Sequence, residues 1–230
     1  MKLLGEQSLL GRVLGRVRRQ GLKSTASSVL ELARIKLNLD ETHVIYELTL
    51  AGERPKKDLP PEFELVKGGE NDLPLLNQLS DISEHQARQL LASGNDLWFV
   101  LEGRQTAFAC WIFRDAMLIS AAKNGRLELT PEIVCLEDSV ASPLYRGRGI
   151  APAAWSQIAD RLEQAGVRYM VTKITEDNIP SRRAVEKSGF RHFATVHFRR
   201  VGPTKRTVIQ TQTGDTGDWL AARFVPTNQS

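Results

Sequence analysis

Tyr145-Arg146-Gly147-Arg148-Gly149-Ile150-Ala151 sets two glycines and two arginines directly ahead of an amphipathic helical pattern. Glycine lets a backbone come close to a ligand, and a helix start offers N–H groups without intrahelical partners together with a partial positive charge. The amides of residues 147–151 can therefore converge on a diphosphate, with Arg146 and Arg148 adding charge. Some 27 residues further on, Asn178-Ile179-Pro180-Ser181-Arg182-Arg183-Ala184-Val185-Glu186-Lys187-Ser188-Gly189-Phe190 forms a second ordered block.

Two other phosphate-binding loops use glycine at a strand-to-helix junction, and neither fits. A dinucleotide fingerprint needs a third glycine and an acidic residue about 20 positions on. No third glycine follows at that spacing, where Pro152 stands, and Ser156 and Gln157 come later without one. A P-loop needs Gly-Lys-Ser/Thr, which the chain lacks.

The elements that must position these residues can be read from hydrophobic periodicity. Ile133-Val134-Cys135-Leu136 is an apolar, β-branched run and predicts a buried strand, which Asp138, Ser139 and Ser142-Pro143 are expected to end. Pro152 falls in the first turn of the following helix, where a missing N–H costs little. Ala154, Ile158 and Leu162, with Trp155 and Ala159 beside them, mark one apolar face of that helix. Val167 to Thr175 reads as the next strand, so the unit is strand–helix–strand and requires a parallel pair.

Hairpin strands flank this unit. Asp96–Glu102 and Gln105–Phe113 are expected to pair around Gly103-Arg104, and Phe193–Arg200 and Thr207–Thr213 to close the sheet. Helical patterns occupy Leu73–Ile82 and Ser83–Ala92, the second with Ser83 as N-cap. His43 to Leu50 reads as a strand with Val44, Tyr46, Leu48 and Leu50 on one face, and the proline- and lysine-containing stretch from Ala51 to Pro61 as a linker. The sum is an α/β fold, a mixed central sheet with helices on both faces and an N-terminal helical appendage. The expected divisions are an appendage at 1–40, a strand and linker at 41–61, the main domain at 62–215 and a tail at 216–230.

Hydrophobic residues make up 41% of the chain and charged residues 25%, as in an ordinary globular protein. The net charge of +4 is uneven: residues 1–37 carry +6 and the remainder −2. The basic character is thus a property of one segment, which argues against nucleic-acid binding. Within that segment Leu10, Val13, Leu14 and Val17 share a helical face, Arg12, Arg16 and Arg19 line another, and a further helical pattern runs to Leu39. An interfacial helix on anionic lipid has this pattern, and so does a helix that packs on its own domain. Cys110 and Cys135 lie in apolar strand patterns and read as reduced core thiols rather than metal ligands or a disulfide, which suits the cytoplasm. His43, His85, His192 and His197 have no partner motif. No run approaches the roughly 18 apolar residues of a membrane span, and Gly5-Glu6-Gln7 interrupts the only signal-like stretch.

The two blocks together resemble the GCN5-related N-acetyltransferase superfamily. Its pyrophosphate loop, Gln/Arg-x-x-Gly-x-Gly/Ala, is matched by Arg146, Gly149 and Ala151, and its later helix by Asn178, Ser181, Glu186, Lys187, Gly189 and Phe190. Val185 stands where that helix usually has a tyrosine. The resemblance covers Trp98 to Phe198 and extends to Phe63. It implies a central parallel strand pair that splays apart, acetyl-CoA or another acyl-CoA as donor, and a small-molecule amine that attacks the thioester directly.

The resemblance also implies the roles of particular residues. Arg146, Gly147, Arg148, Gly149, Ile150 and Ala151 would hold the pyrophosphate, and amides near Val140 would polarise the acyl carbonyl. Asn178 would reach the pantetheine arm or fix the splayed strand, with Ser181 and Arg182 on the following helix. The amine must lose a proton, so a base is expected at the end of the strand before the loop. Glu137 and Asp138 are the candidates; neighbours on a strand face opposite ways, and Asp138 is favoured by its Asp-x-x-x-x-Pro setting. With Val185 in place of the tyrosine, water or Ser181 is left to protonate the leaving thiolate. The wording around Asp138 and Pro143-Leu144-Tyr145-Arg146 resembles bacterial members found among cell-surface polysaccharide genes, which implies an amino-sugar or nucleotide-sugar amine, ahead of peptide and amino-acid amines. A non-catalytic acyl-CoA-binding module is the alternative.

Overall fold

The computed structural model describes residues 38–211 and 219–220. The helical patterns before residue 38, with their membrane-directed face, and most of the expected tail lie outside the described residues.

In chain order the elements are β1 (Asn38–Thr49), β2 (Glu64–Gly68), α1 (Leu73–Leu76), α2 (Glu84–Ala92), β3 (Asp96–Glu102), β4 (Gln105–Phe113), β5 (Ala116–Leu118), β6 (Arg126–Glu128), β7 (Ile133–Ala141), α3 (Ile150–Gln164), β8 (Tyr169–Thr175), α4 (Ile179–Lys187), β9 (Arg191–Val201) and β10 (Thr204–Thr211). Eight strands form one sheet in the order β10-β9-β1-β8-β7-β4-β3-β2, and β5 with β6 makes a separate two-stranded ribbon. Every neighbour in the large sheet is antiparallel except β7 and β8, which are parallel because α3 intervenes between them.

The sheet is covered on both faces, as periodicity requires. One face packs Tyr46, Leu48, Val100, Phe108 and Met170 against Ile150, Ala154, Trp155, Ile158 and Leu162 of α3 and Val185 of α4. The other packs Ile45, Phe99, Trp111, Cys135 and Val171 against α1, α2 and the β5–β6 ribbon. Alternation along β1 puts Val44, Tyr46, Leu48 and Leu50 on the first face and Ile45 on the second, as expected for a strand buried on both sides. Ser83 caps α2 as expected, accepting from the Gln86 amide, while Gln86 reaches back to the Ser83 amide.

The structure corrects several boundaries. The helical pattern read as continuing to Leu39 gives way to strand at Asn38, so a division at residue 40 falls inside β1. Moreover β1 is not peripheral: it lies between β8 and β9 and pairs with both along most of its length. The helix expected over Leu73–Ile82 is confined to Leu73–Leu76 after a short 3-10 turn, and Ser80 turns the chain by accepting from the Ile82 amide. The strand expected to end over Asp138, Ser139 and Ser142-Pro143 passes the first two and stops at Ala141, just before Ser142-Pro143, while β8 begins at Tyr169 rather than Val167 and β10 at Thr204 rather than Thr207. The β5–β6 ribbon, three residues a side, was below the length that periodicity can detect.

Residues 51–61, expected as a linker, form a strap over α3. Arg54 has only 3% of its side chain exposed and pairs with Asp160 and, at 2.7 Å, with Glu163. The Lys57 amide donates to Ser156 Oγ at 3.1 Å. Pro55 rests against Gly189, where a Cβ would lie 2.7 Å from Pro55 Cδ and φ is +91°. Gly189→Ala is therefore expected to destabilise the fold by about 2 kcal/mol, from left-handed strain plus overpacking. Gly94→Ala, at φ +83° with nothing within 4 Å, meets the conformational cost without the clash. Urea denaturation of the two variants checks this, and equal midpoints would show that the strap does not press on Gly189.

Candidate active site at the splayed strand pair

The parallel ladder between β7 and β8 is short. Ile133, Val134 and Cys135 pair with Tyr169, Met170 and Val171, although both strands continue beyond these positions. The cause is on β7. Its pairing with β4 places Glu137 opposite Trp111 and Val140 opposite Ala109, so Asp138 and Ser139 together face Cys110. Asp138 has φ +45°. An extra residue in the left-handed region is a bulge, which bends its strand and re-aims the groups beside it. Here the bend carries the end of β7 away from β8 and opens a gap.

Beyond the gap, Ser142 N bonds Ala107 O at 2.9 Å and a 3-10 turn, Pro143–Tyr145, leads into the glycine loop. Gly147 and Gly149 have φ +80° and +75°, conformations that side-chain-bearing residues rarely adopt. Gly149 is the N-cap of α3 and so supplies no side-chain cap. The first intrahelical bond runs from Ala153 N to Gly149 O, and Pro152 has no N–H to satisfy. The amides of Gly149, Ile150 and Ala151 thus face outward from a helix start. Ile150 is buried and Ala151 half-buried, so the loop is held on the domain from behind.

The two arginines of the loop separate. Arg146 is exposed and has no ion-pair partner among the described residues. Arg148, expected to add charge at the diphosphate, instead pairs with Glu62 at 2.7 Å and lies over the rings of Phe63 and Tyr145 at 4.9 and 5.6 Å. Tyr145 in turn donates to Glu102 at 2.6 Å and contacts Gln105 at 2.8 Å. Arg148 and Tyr145 therefore tie the loop to the start of β2 and to the β3–β4 turn.

On the β8 side, Asn178 is the N-cap of α4, and its Oδ1 accepts from the Ser181 amide at 3.3 Å. Arg182 turns inward: Nε donates to Tyr46 Oη at 3.0 Å and a terminal nitrogen to Glu176 O at 3.0 Å. Tyr46 Oη donates to Glu186 Oε1 at 2.8 Å. Burial raises the Tyr46 phenol pKa, with Arg182 pulling against it. Val185 is buried between Arg182 and Glu186 in the chain and packs in the same cluster as Tyr46. The phenol that reaches this helix thus comes from β1.

The adjacent carboxylates also separate. Asp138 is exposed at the bulge, while Glu137 keeps 12% of its side chain exposed and pairs with Lys173 of β8 across the gap. Cys135 Sγ donates to the same carboxylate at 3.4 Å. Burial pushes the Glu137 carboxyl above its ordinary range against the pull of Lys173. For Lys173, burial favours the neutral amine, but the Glu137 carboxylate together with Cys135 and Asp138 outweighs it and the pKa is raised. Burial likewise pushes up the thiols of Cys110 and Cys135.

The sequence profile of the Acetyltransferase (GNAT) family matches residues 75–190, half of the chain. The chain belongs to the GNAT family. The matched range holds the glycine loop, the bulge, both parallel strands and α4, while β1, β2, β9 and β10 lie outside it. Among solved structures, a GCN5-related N-acetyltransferase from Sphaerobacter thermophilus is similar with a TM-score of 0.55 and 13% identity, over 79% of this chain and 58% of that one. A Drosophila protein gives 0.53 and 15%, over 77% and 57%. A tandem GNAT protein from the clavulanic acid biosynthesis pathway gives 0.51 and 14%, over 85% and 62%. The chain spans less than two thirds of the length of each, and at these identities the likeness is one of fold. No curated protein matches the chain.

Three residues of this GNAT site escaped the sequence reading. Lys173 carried a signal: period two places it on the face of buried Val171, where an unpaired lysine is costly. Tyr46 and Glu62 carried none, because they lie far from their partners in sequence and only the folded chain brings them together.

Proposed function

We propose that this GNAT-family chain is an acyl-CoA-dependent N-acyltransferase that moves an acetyl group from acetyl-CoA to a primary amine. The supporting observation is the gap between β7 and β8 ending at an uncapped helix start with two glycines at positive φ. The residues fit such a donor. The amides of Gly149, Ile150 and Ala151 match a diphosphate, Arg146 is the exposed cation beside them, and the separated strand edges match an extended arm that pairs as a strand would. Bound there, the donor supplies an acyl carbonyl already activated as a thioester.

The chain's own groups do the rest. The main chain near Val140 polarises the carbonyl from the bulge. Asn178 holds the start of α4 at the β8 lip, with Ser181 beside it. Glu137 accepts the ammonium proton, through water or directly, so that the amine lone pair can form the new C–N bond as the C–S bond breaks. We assign this role to Glu137 over Asp138, because the buried carboxylate lies across the gap and the exposed one at the bulge has ordinary solvent around it. The departing thiolate, of pKa about 8.5, takes its proton from water or Ser181. Val185 supplies none.

For the acceptor we favour an amino sugar or nucleotide-sugar amine, on the resemblance around Asp138 to Arg146, ahead of peptide and amino-acid amines. The second reading, a module that binds acyl-CoA without turning it over, is favoured by Val185 alone. Release of free CoA from acetyl-CoA, followed with a thiol reagent against a panel of amino sugars, nucleotide-sugar amines, peptides and amino acids, tests the proposal. Amine-dependent release is expected. Tight acetyl-CoA binding with no amine-dependent release across the panel would favour the binding module.

A further inference from the structure

We propose that Lys173 is a positioning residue that keeps Glu137 ionised at the mouth of the gap, so that a carboxylate rather than a carboxylic acid meets the incoming amine. This rests on the reading of Glu137 as the proton acceptor. The placement follows from register. Cys135 and Val171 are the last backbone-paired residues of β7 and β8. Two residues further along each strand stand Glu137 and Lys173, on the same face as that last pair. Where the backbone ladder stops, an Nζ–Oε1 contact continues the link between the strands.

The surroundings leave Lys173 as the group that decides the charge. Glu137 faces Lys173 on β8, the Cys135 thiol and the Asp138 carboxylate on its own strand, and the uncharged Trp111 opposite on β4. Desolvation and Asp138 both favour the protonated acid; Lys173 is the cation opposing them, and the long Cys135 thiol hydrogen bond adds the smallest contribution on its side. Side-chain exposures of 12% and 14% leave little water to do the same work. A buried ion pair adds little to stability compared with apolar packing, which argues that a pair held where two strands separate serves the site.

The test reads Glu137 directly and needs no acceptor. In protein carrying carboxyl-13C glutamate, the Glu137 resonance is assigned by its loss in Glu137→Gln and titrated in wild type, Lys173→Met, Lys173→Gln and Lys173→Arg. The midpoint is expected to rise by at least one pH unit in Lys173→Met and Lys173→Gln and to return near wild type in Lys173→Arg. Should Lys173→Met fail to fold, Lys173→Gln, with a polar side chain, reads the same quantity. An unmoved midpoint in a folded neutral variant would overturn the proposal. The acid limb of kcat/KM for acetyl transfer is a separate readout. If the resonance shifts but Glu137→Gln transfers acetyl at the wild-type rate, Lys173 controls Glu137 as proposed and it is the assignment of the base that fails.

Discussion

Gly149→Val is expected to weaken acetyl-CoA binding by well over tenfold, more than about 1.4 kcal/mol. Gly149 caps α3 at φ +75°, and a β-branched residue is a poor occupant of the left-handed region. In the free protein a Cβ at this position would meet nothing within 4 Å. The loss therefore has two sources: backbone strain that re-aims the Gly149, Ile150 and Ala151 amides, and methyl groups standing where a diphosphate must approach. Gly149→Ala, with a smaller side chain, is expected to lose less. Calorimetric dissociation constants for the three proteins check this, alongside melting temperatures that isolate the strain. Equal constants for wild type and Gly149→Val would remove the loop from the binding site.

Glu137→Gln is expected to lower kcat/KM for the transfer by 10²–10⁴-fold, the usual cost of a lost general base. Acetyl-CoA affinity should fall far less than in Gly149→Val, because Glu137 lies away from the helix start that takes the diphosphate. Asp138→Asn is the comparison. Asp138 is exposed, and its φ of +45° suits asparagine as well as aspartate, so the variant should keep the bulge and stay within about threefold of wild type. Rates across pH for the two variants decide between the carboxylates, and a larger loss in Asp138→Asn would transfer the role.

The sequence by itself determined the local parts of this protein. The glycine loop and α3 were legible because loop chemistry, Pro152 in the first turn and the Ala154/Ile158/Leu162 stripe are short-range signals. So was the β3–β4 hairpin, whose two expected strands coincide with those found. Family membership followed from two blocks about 27 residues apart, whose order needed no third dimension. What only the tertiary structure decided is every arrangement made between distant segments. The strand around Tyr46 was readable, yet its place between β8 and β9 was not, because strand order depends on edge pairing and burial rather than on pattern. Alternation allowed only one of Glu137 and Asp138 to face inward, and the fold decided that it is Glu137, buried beside Lys173, while Asp138 is exposed at a bulge that no residue type announces. Arg148 read as a phosphate ligand, whereas Glu62 and two aromatic rings, distant in sequence or facing from a turn, hold its guanidinium. Periodicity reports which face a side chain is on, and only the fold determines which charge waits on that face.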